Sequence, residues 1–156
     1  MTFTSPSQNN CKDSLDYATV RARWNKGMGG IKDKLAKWNL PDFKTIKFIK
    51  DTLNITHAMY GPDILFITTI VKGGCIRRAT IYSKHEPNVG IQSILAMLTL
   101  IKTFNPELTV EQRKAAFDSL VAGNKNTRNE LTISNNHYVF IDGIITANTL
   151  TVTTKN

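Results

Sequence analysis

The sequence predicts a single α+β domain: a mostly antiparallel sheet with an N-terminal helical segment and a central two-helix insertion. Three observations lead there. Apolar residues recur at steps of three and four in the first forty residues and again over 91–121. Between and after those stretches, short runs rich in β-branched residues are separated by Gly, Pro, Asn and Asp. The resulting order is helices, strands, two helices, strands, which suits helices gathered on one antiparallel sheet rather than an alternating parallel one.

Residues 1–12 are rich in Ser, Thr, Asn and Gln, with little apolar weight, and read as a flexible arm; residues 13–156 read as the domain. From Asp13 a helical stripe begins, with Tyr17, Val20, Trp24, Met28, Ile31, Leu35 and Trp38 on one side. Gly27-Met28-Gly29-Gly30 interrupts it, since each glycine costs a helix about 1 kcal/mol relative to alanine. Two helices joined at that point are expected, ending at Asn39-Leu40-Pro41. Over 43–56 helical spacing competes with β-branched composition, and strand character is expected in the second half. Gly61-Pro62-Asp63 marks a turn before the buried strand Ile64–Val71. Lys72-Gly73-Gly74 then connects it to a returning strand, Cys75–Tyr82.

Asn88 is placed to cap a helix whose apolar residues, Ile91, Ile94, Leu95, Met97, Leu98, Leu100 and Ile101, cover most of its circumference. That helix is expected to be the central buried one and to stop at Phe104-Asn105-Pro106. Thr109-Val110-Glu111-Gln112 fits a capping box, with Val110, Arg113, Phe117, Leu120 and Val121 on one face and Gly123 as the stop. Strands follow at 130–133, 138–141 and 144–154, with turns expected at Asn135-Asn136 and Asp142-Gly143, the latter a favoured type I′ pair.

Composition bounds the function. With 156 residues, 41% hydrophobic and 21% charged, the chain can bury a core, and disordered or fibrous classes are excluded. No apolar run reaches the length of a membrane span, so no transmembrane segment is expected. The polar opening lacks the order of a signal peptide, which leaves a cytoplasmic protein or a mature secreted or periplasmic form. Cys11 and Cys75 could close one disulfide, tying the arm to the domain, or remain two reduced thiols.

No catalytic signature stands out. The cysteines and the histidines at 57, 85 and 137 show no metal-ligand spacing, and neither a metal nor a cofactor is expected. A small Cys/His-dependent enzyme would have to assemble Cys75 with His57 or His137, with Asp142 or Asp63 orienting the ring. His85-Glu86 and Asp142 fall in loops, where acid–base residues concentrate. The glycines near Lys26 and Lys32 match no phosphate-binding loop.

Charge is the more informative feature. Lys and Arg number 20 against 12 Asp and Glu, a formal charge of +8, and the excess is concentrated in the first third of the chain. The leading expectation is a non-enzymatic interaction or accessory protein whose basic surface binds an acidic protein surface. A small inhibitor or exclusion-type factor suits the size. Contacts are assigned to Arg21, Arg23, Lys26, Lys34, Lys37, Lys44 and Lys47, with Trp24 or Trp38 as anchors unless both are core. The alternatives are nucleic-acid binding by the same patch and, less favoured, docking on an anionic membrane surface.

Overall fold

The computed structural model describes residues 11, 15–29, 52–60, 63–71, 73–85, 89–123, 127–143 and 147–154. The described helices are α1 (Tyr17–Gly29), α2 (Gly90–Phe104) and α3 (Val110–Val121). The described strands are β1 (Thr52–Tyr60), β2 (Ile64–Val71), β3 (Ile76–Lys84), β4 (Arg128–Ile133), β5 (Asn136–Asp142) and β6 (Ala147–Thr154). The expected α+β class holds: the six strands form one sheet in the order β1-β2-β3-β6-β5-β4, and every neighbouring pair is antiparallel. Two three-stranded meanders are thus joined through β3 and β6, with α2 and α3 in the connection.

α1 begins at Tyr17, four residues after the expected start at Asp13. The delay has a local cause. Asp16 bridges Cys75, and the amide of Ile76 donates to Leu15 O at 2.7 Å, so the chain before the helix is held extended along β3. Asp16 Oδ1 then accepts from the Thr19 amide at 2.7 Å, satisfying a first-turn donor that would otherwise lack a partner. Cys11 and Cys75 form a disulfide, with their Cα atoms 5.5 Å apart. The other residues of the expected flexible arm lie outside the described ones. Of the expected stripe, Tyr17, Val20, Trp24 and Met28 are all buried in the core, while Ile31, Leu35 and Trp38, and with them the second helix expected before Pro41, lie outside the described residues.

The sheet has one core face. Along β2 every second residue is buried, and Ile64, Phe66 and Ile70 share one core with Ile76 and Ile81 of β3 and, further across the sheet, Leu150 and Val152 of β6 and Tyr138 of β5. From α2, Met97, Leu100, Ile101 and Phe104 pack onto this layer, and from α3 so do Phe117 and Leu120. Burying each such large side chain contributes about 1.5–3 kcal/mol. The opposite face is a carpet of β-branched side chains, where Thr80 and Thr151 share a hydrogen bond of 2.9 Å.

Four local expectations need correction. The N-cap of α2 is Val89, which offers no side-chain oxygen; Asn88 lies outside the described residues. α2 is not buried all round, because it lies across one face of the sheet; Ile91 is 73% and Ile94 44% exposed. The β4–β5 turn is Ser134-Asn135, with Ser134 at φ 53°, and Asn136 is a buried strand residue. The β5–β6 connection is no two-residue turn, since Asp142 pairs with Asn148 and Gly143 N–H donates to Ala147 O at 3.0 Å. The capping box of α3 forms as expected: Gln112 N donates to Thr109 Oγ1 at 3.2 Å, and Thr109 N to Gln112 Oε1 at 2.9 Å. Gly123, at φ +118°, follows the helix where a side chain would be strained.

Candidate functional site

α1 runs close to α2. Arg23 Nη1 donates to Thr103 O at 3.2 Å, and a Cβ at Gly27 would stand 3.2 Å from Thr99 Cγ2. Gly27 therefore lies inside α1 as a contact point, where an added side chain would require Thr99 to give way slightly. Beside this approach runs a groove of about 420 Å³ between the three helices. Leu95, Leu98 and Val110 give it apolar walls, and Lys102, Arg113 and Lys114 stand around it. Lys26, next to Gly27, is exposed. Among the described residues no carboxylate pairs with Lys26, Lys102 or Lys114. Arg113 Nη1 donates to Leu108 O at 2.7 Å, which fixes its guanidinium at the foot of α3.

The expected contact residues divide accordingly. Lys26 is on the surface, Arg21 is half-buried, and Arg23 is committed to α2. Trp24 has no exposed surface and lies against Phe66 with ring centroids 4.7 Å apart, so it belongs to the core and is not a surface anchor. Lys34, Lys37, Trp38, Lys44 and Lys47 lie outside the described residues. Sequence reading did not assign Lys102, Arg113 and Lys114 to a patch. The available signal was the all-round apolar character of α2, which a one-sided position leaves partly uncovered.

A second set of cations sits on the open face of the sheet, where Arg78, Arg128 and His137 line a shallow depression of about 330 Å³ with Val139 and Thr153. One carboxylate offsets part of its charge. Glu130 Oε1 is 2.8 Å from Arg128 Nη2 and 3.8 Å from His137 Nε2, and the Arg128 hydrogen bond holds its carboxyl below the usual range. Thr132 Oγ1 lies 3.0 Å from His137 Nδ1. The helix layer differs in setting its cations beside apolar walls.

The residues considered for nucleophilic catalysis are not assembled. The Cys75 sulfur is bonded to Cys11, His57 Nε2 lies 3.4 Å from the Tyr17 hydroxyl, and His137 faces Glu130. The two loop residues considered for acid–base work do meet. His85 Nε2 is 3.3 Å from Asp142 Oδ1 and hydrogen-bonds the carbonyl of Gly143. They border a cleft of about 560 Å³ under the first turns of α2, where β3 and β5 end and β6 begins. Among the described residues no group of three His, Cys, Asp or Glu side chains is placed to hold a metal ion, and no described helix is long and apolar enough to cross a membrane.

No protein-family model, curated protein or solved structure matches this chain. The functional reading therefore rests on the geometry of these surfaces.

Proposed function

We propose that this protein is a non-enzymatic interaction module whose helix layer binds an acidic, amphipathic segment of a partner protein. One observation carries the reading: Lys102, Arg113 and Lys114 surround an apolar groove, and Ile91, one turn before Leu95 of its wall on α2, is exposed. An isolated exposed leucine or isoleucine is ordinary, but apolar side chains aligned along one helix and bordered by cations match a partner with the opposite arrangement. The cations would steer the encounter, and the apolar wall would hold the bound segment. Nucleic acid is less well served, because a phosphate backbone has no use for the Leu95–Leu98–Val110 wall.

The test uses three labelled probes: a helical peptide with Glu on one face and Leu on the other, the same peptide with Gln for Leu, and a DNA duplex of matched charge. Fluorescence anisotropy at low and high salt reads their binding. The acidic amphipathic peptide should bind most tightly, and Lys102→Glu with Lys114→Glu should weaken it by at least about tenfold. Tighter binding of the duplex with steep salt dependence would assign the surface to nucleic acid and overturn the proposal. Equal binding of the Leu and Gln peptides would also overturn it, by removing the role of the apolar wall.

A further inference from the structure

A break in the ladder between β2 and β3 sets two arginines on the surface. Thr69 pairs with Arg78 and Ile70 with Ile76, so Arg77 is the extra residue of a β-bulge. Side chains alternate along a regular strand, and only the bulge lets Ile76 and Ala79 both face the core. Thr154, buried at the end of β6, donates its hydroxyl to Ile76 O at 3.0 Å and reaches Arg77 O at 3.4 Å, which satisfies carbonyls at the bulge. The consecutive Arg77 and Arg78 are exposed as a result.

On the open face of the sheet, Arg78, Thr153 and His137 are partners in register across β3, β6 and β5. Among the described residues, neither the Arg78 guanidinium nor the Thr153 hydroxyl has a hydrogen bond or ion pair. On the other side of Arg78, the Thr69 hydroxyl is committed to Asn54 Oδ1 at 2.8 Å. The six strands carry two carboxylates, Asp142 and Glu130. Asp142 shares the helix-facing side of β5 with Phe140. Glu130 lies on β4, three strand spacings or about 14 Å from β3, and is held by Arg128.

Arg78 and His137 flank Thr153, with their backbones two strand spacings or about 10 Å apart. A tetrahedral oxyanion fits between them. The guanidinium fork takes two of its oxygens, and the Thr153 hydroxyl and the imidazole donate to others. A carboxylate, with two oxygens in one plane, would be satisfied by the arginine alone. Arg128 gives Nε and Nη2 to Glu130 and keeps Nη1 for the far side of the depression. The depression, of about 330 Å³, is a single concavity of small-ligand size, which suits one anionic group better than a polymer backbone.

The structure assigns to this depression a binding site for a phosphate group, held by Arg78 with Thr153 and His137 beside it. The phosphate is either free or part of a monoester, and the two share this chemistry; an ester's organic part would lie toward Val139 and Ile141. The site is on the opposite side of the sheet from the helix groove and does not depend on it.

Amide NMR titration of the full chain at constant ionic strength with inorganic phosphate, phenyl phosphate and benzoate tests the assignment. At least one phosphate probe should saturate, shift the amides of Arg78, Thr153 and His137, and bind about tenfold or more tighter than benzoate. Tighter binding of phenyl phosphate identifies an ester, and equal or weaker binding identifies free phosphate. Arg78→Gln should weaken the preferred probe about tenfold, and Arg78→Lys should recover only part of the loss because an ammonium lacks the fork. Glu130→Gln should tighten binding severalfold by releasing Arg128 and His137, whereas Lys102→Gln in the helix groove should leave it unchanged. Failure of both phosphates to saturate, equal binding of benzoate, shifts confined to the helix layer, or full affinity in folded Arg78→Gln would each overturn the assignment.

Discussion

Tyr138, in the middle of β5, donates its hydroxyl proton to Asn105 Oδ1 at 2.7 Å, and both residues are buried. Asn105 sits at the corner between α2 and α3, and its Oδ1 also accepts from Asn136 Nδ2 at 3.1 Å. Asn136 Nδ2 reaches Phe104 O at 3.0 Å, while Asn105 Nδ2 donates to Glu107 Oε1 at 2.8 Å. A small polar network thus fastens the helix corner to the sheet. Tyr138→Phe should cost about 1–2 kcal/mol, since Asn105 keeps its other donor. Asn105→Leu should cost about 3 kcal/mol or more, because it strands the phenol and one amide hydrogen. Urea denaturation of both variants measures this order. Burial, and after it the Glu107 carboxylate, pushes the Tyr138 phenol far above the ordinary tyrosine range. The unfolded chain therefore loses this proton first, and stability should decline above about pH 10 in the parent and less in Tyr138→Phe.

The Cys11–Cys75 disulfide closes a loop of 64 residues in sequence separation. In the chain-entropy account, a closure of that length stabilises the fold by about 4 kcal/mol. Cys11→Ser with Cys75→Ser should therefore lower the urea midpoint strongly. The bridge between Asp16 and Cys75 and the bond from Ile76 N to Leu15 O stand beside it, so the register of α1 on β3 should loosen as well. Hydrogen exchange at Ile76 reads that second effect. Unchanged protection there would mean that the sulfur bond adds nothing to the docking of α1.

His57 occupies the core-facing side of β1, opposite Phe66 and 3.4 Å from the Tyr17 hydroxyl. Burial lowers its pKa below the ordinary histidine value. Above about pH 6.5 the ring is neutral in both folded and unfolded chains, so its contribution is fully present. Below that value the unfolded chain takes up a proton that the folded chain resists, and stability falls until the folded-state pKa is passed. His57→Phe should flatten this slope in urea midpoints measured between about pH 7.5 and 5. A slope that survives the substitution would assign the acid sensitivity to other groups.

Thr68 is fully buried in β2, and its hydroxyl has no hydrogen-bond partner. Ile55 and Ala79 are its cross-strand partners, so the surroundings reward a methyl group instead. Thr68→Val keeps the branched shape and removes the orphan oxygen, and should raise stability by about 1 kcal/mol. A thermal melt is sufficient to check the sign. A fall in Tm would mean that the hydroxyl finds a partner in solution.

Much of the fold is legible because the signals are local. Ile64–Val71 is bounded by turn residues and carries a continuous apolar and β-branched run, and the strand forms over those same residues. Thr109 and Gln112 form a capping box within a single turn, so nothing distant can override it. The misread elements depend on partners far along the chain. Asn136 looked like turn chemistry, yet its amide is used inside the core on Phe104 and Asn105. The apolar circumference of α2 implied full burial, whereas position on one side of the sheet decides which face is covered. The row Arg78–Thr153–His137 exists only through strand register, which no local pattern encodes.

Ile91 and Val110 are exposed by 73% and 66%, among the least covered large apolar side chains of the described residues. Side chains this exposed contribute little to folding, so Ile91→Gln with Val110→Gln should change stability by less than about 0.5 kcal/mol. Binding should respond differently. Val110 is part of the groove wall with Leu95 and Leu98, and its loss removes apolar area from the bound state alone. Affinity for the acidic amphipathic peptide should fall severalfold while the Tm stays in place, and affinity for its Gln counterpart should not move. A drop in Tm with unchanged peptide affinity would put these residues in intramolecular packing and take the apolar wall out of the binding surface.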